Sequence, residues 1–255
     1  MQRRWISPAL AGIVAAAIAT GALGAVAAAA KPDPSKGLPQ GSEKVTLRPA
    51  DFTIEIDNPY WPMRPGNTWV YIESEPGGPI QDVVVEVTDT TKTMANGIEA
   101  RVILDTVSEN GVPVEVTEDW YAQDVRGNIW YFGEYVTNYT NGEVVDHSGS
   151  SEAGVDGAEP GVALPAHPKP GMTYRQEYFK GEAEDRGAVI TVGEEKVEVP
   201  FGFFDKKILM TRDLSRIEPT VQELKFYAPG VGPLLSMHTD GPGGRVTLVS
   251  FTAGA

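Results

Sequence analysis

The chain has 255 residues, with 35 aspartates and glutamates against 21 lysines and arginines, and a formal charge of −14 at pH 7. This balance argues against nucleic acid as a partner, because binding it depends on lysine and arginine neutralising phosphates. Cysteine is absent, which excludes disulfides and a lipid-modified cysteine anchor, so the core alone must stabilise the fold.

The first thirty residues have the pattern of a signal peptide. Arg3 and Arg4 precede an alanine-rich apolar run that begins at Pro8, and small residues stand before Lys31. We predict cleavage after Ala30 and a secreted, periplasmic or cell-envelope location. The run is long enough to span a bilayer, so an uncleaved anchor is the alternative, although alanine and glycine make it only weakly hydrophobic.

The remaining sequence predicts strands and almost no helix, because short β-branched and aromatic runs alternate with turn residues. Asn96-Gly97, Asn110-Gly111 and Asn141-Gly142 are dipeptides typical of tight hairpins. The predicted segments are a flexible leader at 31–56, a first β unit at 57–136, an acidic glycine-rich connector at 137–169 and a second β unit at 170–255. The predicted strands are Thr68 to Glu73, Asp82 to Thr88, Ile98 to Val107, Val114 to Gln123, Ile129 to Tyr135, Tyr174 to Phe179, Ala188 to Val192, Lys196 to Val199, Lys207 to Arg212, Gln222 to Tyr227, Leu234 to Thr239 and Arg245 to Phe251.

The two β units share a sequence pattern that indicates an internal duplication. Pro65-Gly66-Asn67-Thr68-Trp69 returns as Pro170-Gly171-Met172-Thr173-Tyr174, and several later matches keep nearly the same offset. We therefore predict an all-β fold: a curved antiparallel sheet, or a half-barrel or sandwich, built from two duplicated strand-rich units. The later matches are Val83–Val87 with Ala188–Val192, Gly97 with Gly202, Ile103-Leu104 with Ile208-Leu209, and Tyr121-Ala122 with Tyr227-Ala228.

The stretch from Trp120 to Phe132 places large aromatic residues on both sides of a short polar turn. Since side chains alternate along a strand, Trp120 should oppose Tyr121, and Trp130 and Phe132 should oppose Tyr131. Rings paired across a hairpin stabilise a sheet, so a structural role is the first interpretation. The alternative is an aromatic wall for a ligand, formed by Trp69, Trp120, Trp130 and Phe132.

Three motifs carry a resemblance: Gly66 to Tyr71, Trp120 to Asn128, and Tyr227 to Gly232. Over roughly Asp57 to Val249 the chain resembles uncharacterised exported bacterial β-domains, which are similar in outline to the LolA and LolB lipoprotein carriers. The resemblance implies a highly curved antiparallel sheet with an apolar cavity. It implies no catalytic residues, because the motifs are signatures of turns and strands.

The connector is rich in glycine and carboxylates, and such loops can bind Ca²⁺ through six to eight oxygens. Its candidate ligands are Asp146, Glu152, Asp156 and Glu159. No EF-hand pattern is present, and a solvated connector or surface lid is the alternative. Calcium is the only cofactor that the sequence indicates.

Catalytic motifs are absent. Asp146-His147 precedes several serines, but the Gly-x-Ser-x-Gly pattern of a nucleophile elbow is missing. A glycosidase needs two carboxylates across a cleft, and Glu118 and Glu134, which flank the aromatic hairpin, are the least arbitrary pair. We assign no catalytic residue.

These observations favour an extracytoplasmic binding or scaffold module. Its partner is expected to be an apolar or aromatic small molecule, or a protein at the cell envelope, held on a curved β-sheet. Two alternatives remain open: a calcium-binding cell-surface protein that uses the connector, and a secreted hydrolase that acts on extracellular polymers.

Overall fold

The structure of the protein, a computed structural model, describes residues 35–220, 222–239 and 243–254. The predicted signal peptide and its cleavage site lie outside these residues. Within them the only helical element is a 3₁₀ turn at Pro49–Asp51, which confirms the predicted all-β class. The strands are β1 (Phe52–Thr53), β2 (Thr68–Ser74), β3 (Ile80–Thr93), β4 (Glu99–Glu109), β5 (Val112–Asp124), β6 (Ile129–Thr140), β7 (Glu143–Asp146), β8 (Ser151–Glu152), β9 (Glu159–Leu164), β10 (Thr173–Phe179), β11 (Ala183–Val192), β12 (Val197–Val199), β13 (Gly202–Phe204), β14 (Leu209–Ser215), β15 (Gln222–Ala228), β16 (Gly232–His238) and β17 (Arg245–Thr252).

Twelve of these strands form a closed antiparallel barrel in the order β2-β3-β4-β5-β6-β9-β10-β11-β14-β15-β16-β17. The ring closes where β17 pairs with β2, with Leu248 opposite Tyr71. The predicted curvature therefore continues to full closure. Closure pairs the strand edges that an open sheet would expose.

The barrel wall consists of two successive meanders, β2 to β6 and β10 to β16, each followed by one further strand, β9 or β17. The amide of Gly66 donates to the carbonyl of Val87 at 2.8 Å, and that of Gly171 donates to the carbonyl of Val189 at 2.9 Å. In this register Val87 corresponds to Val189, whereas the sequence match pairs it with Val192. The duplication itself stays a prediction.

The described part of the leader packs on the outside of the barrel. The Phe52 ring meets the rings of Trp130 and Phe132 edge-on, at centroid distances of 6.0 and 5.7 Å. Further along the wall, the Arg175 guanidinium donates to the carbonyl of Glu43 at 2.7 Å. The leader thus covers aromatic rings that would otherwise face water.

One end of the barrel, here called the plugged end, is filled by residues 54–63. A bridge joins Ile56 to Met63, and both side chains are buried. Between them in the sequence is Trp61, whose ring centroid lies 5.5 Å from that of Tyr121 and 6.2 Å from that of Tyr227. These two tyrosines are the equivalent residues of the predicted repeat, so one tryptophan contacts both halves of the barrel.

Candidate ligand-binding cavity

The barrel encloses a cavity of about 220 Å³. A cavity of about 150 Å³ is known to admit benzene, so this one has room for a single aromatic ring with a short substituent. Its wall combines aromatic and acidic side chains drawn from both meanders. The aromatic residues are Trp61, Tyr71, Tyr121, Tyr131 and Tyr227, and the acidic ones are Glu75, Asp105, Asp119, Glu177, Asp185, Asp213 and Glu223.

The two kinds of residue lie at different depths. Along β15, the inward positions run from Glu223 through Lys225 to Tyr227, which contacts Trp61 at the plugged end. Along β5, Asp119 precedes Tyr121 in the same way. Because side chains at i and i+2 share a face, the charged residue on each strand lies next to the tyrosine and farther from the plugged end. The cavity is therefore aromatic at the plugged end and acidic beyond it.

Lys225 is the one lysine or arginine among the described residues of the cavity wall. Its ammonium lies 2.7 Å from a carboxylate oxygen of Asp213 and 3.2 Å from one of Glu223. Burial alone would lower the pKa of Lys225, but these two carboxylates raise it well above its usual value. The lysine is thus held charged and is already engaged by two of the seven acids.

Two further acids line the cavity from the neighbouring strands β4 and β5, where Asp105 is opposite Thr117 and Asp119 is opposite Ile103. Burial is the main cause that raises the pKa of Asp105 well above its usual value, and the charge of Asp119 adds to it. The pKa of Asp119 is likewise raised by burial and by Glu134, although the Tyr131 hydroxyl donates to its Oδ1 at 3.2 Å. This side of the wall has no cation to offset the acids.

Asp185 on β11 lies directly opposite Glu177 on β10, and both side chains line the cavity. The Asp185 side chain is only 6% exposed, and neither carboxylate oxygen has a hydrogen-bond donor in suitable geometry. Burial raises the pKa of Asp185 to about 7, although Glu177 and Ser215 lie close enough to lower it. A buried carboxylate without donors is costly, so this position needs a proton or a cation to neutralise it.

The structure places the four predicted ligand-binding residues away from this cavity: Trp69, Trp120, Trp130 and Phe132. The indole of Trp69 donates to the carbonyl of Val231 at 2.7 Å, and Trp69 does not line the cavity although it lies close to Gly232, as Trp61 does. The other three lie on the outer face, where the leader covers part of the hairpin. Their role in binding stays a prediction that no cavity contact supports.

The predicted alternation of the hairpin does appear in the cavity wall. Tyr121 and Tyr131 line the cavity, with ring centroids 5.1 Å apart, whereas Trp120 and Trp130 do not. The predicted wall residues Trp120, Trp130 and Phe132 belong to this hairpin but lie on its other face. A signal for the inner face was available, because a charged residue stands two positions before a tyrosine at Asp119 and again at Lys225.

The predicted calcium ligands have separate surroundings. Glu152 is ion-paired with Lys92 at 2.7 Å, and Glu159 accepts a hydrogen bond from the amide of Val45 at 3.3 Å. Asp146 accepts bonds within its own turn. Across the described ranges, no group of three or more histidines, cysteines or carboxylates is arranged to hold a metal ion. The calcium site predicted at Asp146, Glu152, Asp156 and Glu159 therefore stays a prediction.

The carboxylate pair considered for a glycosidase does not share a face. Glu134 is buried and lies opposite Asp119, whereas Glu118 is exposed and lies opposite Tyr135. The two carboxylates therefore point to different sides of the sheet and cannot bracket one glycosidic bond. His147 stacks on Tyr135 with centroids 4.7 Å apart, within the connector turn.

No family model and no curated protein matches the chain. Two solved structures share a general likeness with it. One is a candidate lipoprotein of Parabacteroides distasonis, with 14% identity and a TM-score of 0.41 over 76% of this chain and 98% of that one. The other is a candidate exported protein of Bacteroides fragilis with a YmcC-like fold, with 15% identity and a TM-score of 0.40 over 76% and 99%.

At these scores neither structure adds to the interpretation of the cavity, and the resemblance to the lipoprotein carriers stays a prediction. None of the described residues forms a helix with the length and hydrophobicity that crossing a membrane requires.

Proposed function

We propose that this protein is an extracytoplasmic binding module that holds a small organic molecule inside its barrel. The observation that carries the proposal is the 220 Å³ cavity with an aromatic end and an acidic wall. The signal-like sequence of the first thirty residues supports the location.

The composition of the cavity wall supports a ligand more than a packing defect. Protein interiors are close-packed and leave few voids larger than a water molecule. Binding sites, in contrast, are concave, rich in aromatic side chains and equipped with a few convergent polar groups. The tyrosines and Trp61 fit that description, and acids that pack poorly in a core line the same space.

A protein partner has less support. The most exposed large apolar side chains are spread over separate elements, with Val125 in a turn, Ile80 at the start of β3 and Phe203 in β13. Interaction surfaces usually present a contiguous apolar patch. The cavity therefore favours a small molecule over a protein surface as the ligand.

A neutral aromatic probe tests this proposal. 2-Phenylethanol, which has one ring and a two-carbon arm, is titrated into the full chain while calorimetry and tryptophan fluorescence are followed. We expect saturable binding with a fluorescence change that disappears in Trp61→Phe, because Trp61 is the tryptophan in the cavity wall. In the matched control Trp120→Phe, which changes a buried ring outside the cavity, the change should persist. If neither calorimetry nor fluorescence shows saturable binding, the proposal is overturned.

A further inference from the structure

The charges on the cavity wall do not balance. Seven carboxylates and one lysine leave a formal charge of −6 if all of them are ionised and His238 is neutral. Lys225 is already in contact with Asp213 and Glu223. The opposite side of the wall, with Asp105 and Asp119, has no such cation.

Asp185 adds an independent observation. It is more than nine-tenths buried, it lines the cavity opposite Glu177, and no donor is in hydrogen-bond geometry with either of its oxygens. One oxygen of Asp105, Oδ1, is in the same condition. An ammonium group carries three donors and a guanidinium five, so either could supply the bonds and the charge that are missing here.

The arrangement does not suit a metal ion. In the part of the chain that the structure describes, no three potential metal ligands converge. The acids are instead spread around the wall on β4, β5, β10, β11, β14 and β15, with Glu75 directly after the end of β2. A set of carboxylates spread in this way fits a larger cation with several donors.

The depth of the two regions also matters. Trp61, Tyr121 and Tyr227 form the plugged end, and the carboxylates lie beyond them. Aromatic faces attract cations as well as apolar groups. A molecule with an apolar part and a positively charged group would satisfy both regions at once.

From these observations, and resting on the proposed function, we infer that the ligand is an organic cation. Its ammonium or guanidinium group lies in the acidic part of the cavity, which Asp105 and Asp119 line from β4 and β5 and Asp185 lines from β11. Its apolar or aromatic part lies against Trp61. The raised pKa values of these acids agree with this assignment, because a bound cation would favour their ionised forms.

The test compares three probes of similar shape by calorimetry near pH 8: 2-phenylethylamine, 2-phenylethanol and 3-phenylpropionate. We expect the amine to bind about tenfold or more tightly than the alcohol, which corresponds to one favourable charge interaction. The carboxylate should bind more weakly than the alcohol. Asp119→Asn and Asp185→Asn should reduce amine affinity at least several-fold and leave alcohol affinity nearly unchanged.

Glu118→Gln is the matched control, because Glu118 precedes Asp119 on β5 but is exposed on the other face. It should leave the amine affinity unchanged, and thermal melting should show that every variant is folded. If the alcohol binds and the amine binds no tighter, the cation assignment fails while the proposed function stands. An amine preference that survives both aspartate substitutions would also overturn the assignment. If none of the three probes binds, the proposed function fails as well.

Discussion

Two buried carboxylates of this barrel, Asp124 and Asp185, have opposite surroundings. Asp124, in the turn of the aromatic hairpin, accepts hydrogen bonds from the amides of Arg126 and Asn128, the side-chain amide of Asn128 and the indole of Trp130. Burial alone would raise the pKa of Asp124, but these bonds lower it below its usual value. Asp185, only slightly more exposed, has no donor in hydrogen-bond geometry on either oxygen, and burial raises its pKa.

The difference separates structural acids from candidate functional ones. Asp124 fixes a turn, so its donors come from its own hairpin and its charge is satisfied by the fold. In the cavity wall, by contrast, both oxygens of Asp185 and one oxygen of Asp105 have no donor in hydrogen-bond geometry, and the folded chain carries these two acids at a cost. Proteins tend to retain costly groups of this kind where they are used. Substitutions of the structural acid and of the cavity residues should therefore have different effects.

Removing the one lysine of the cavity wall should have the largest effect. Lys225→Met leaves Asp213 and Glu223 buried without their counter-ion, and we expect a loss of about 4 kcal/mol in the free energy of unfolding. Urea denaturation near pH 7 measures it. The control Lys92→Met breaks a partly exposed pair with Glu152 and a contact with the Trp120 ring, and it should cost about 1 kcal/mol. Equal losses in the two variants would contradict this interpretation of the cavity.

Removing the structural acid should also destabilise the fold. Asp124→Ala deprives the indole of Trp130 and the amides of Asn128 of their acceptor, and we expect a loss of about 3 kcal/mol. The same urea titration measures it. Glu118→Ala, an exposed acid of the same strand, should change stability by about 0.5 kcal/mol at most. A neutral Asp124→Ala would show that the turn does not depend on this carboxylate.

Removing a cavity acid should have the smaller effect and the opposite sign. An unfolded aspartate ionises near pH 3.9, and Asp185 ionises at about 7 in the folded chain, so its ionisation disfavours folding as pH rises between these values. The shift corresponds to roughly 4 kcal/mol near pH 8, but the buried amide of Asp185→Asn also needs hydrogen-bond partners, which offsets part of the gain. Asp185→Asn should therefore stabilise the unliganded protein by about 2 kcal/mol near pH 8 and by little near pH 4. Melting temperatures at both pH values decide it. A variant less stable at pH 8 would indicate a structural role.

Much of the fold follows from local patterns in the sequence. The predicted strands largely correspond to observed ones, and Asn110 and Asn141 do adopt positive φ in their turns. Closure could not be predicted, because it depends on β17 pairing with β2, whose strands are far apart in the chain. The residue-by-residue equivalence of the two halves could not be predicted either, because bulges such as the one between Val87 and Thr91 shift the strand register.

Only part of the candidate site could be predicted from the sequence. Alternation predicts that Trp120 and Tyr121 face opposite sides, but it does not say which side becomes the interior. An acid such as Asp119, which follows Glu118 in the sequence, is expected to face solvent, but closure of the barrel turns its side chain inward. The cavity acids are therefore a product of the tertiary fold, and no local motif marks them.

The most direct test of the binding cavity is to fill it. Ser236 on β16 lines the cavity, whereas its neighbour Met237 is 39% exposed on the other face. Calorimetric titration with 2-phenylethanol should show binding to the unmodified chain and to Met237→Phe, and none to Ser236→Phe. Binding that persists in a folded Ser236→Phe, or that is absent from the unmodified chain, would contradict a ligand site inside the barrel.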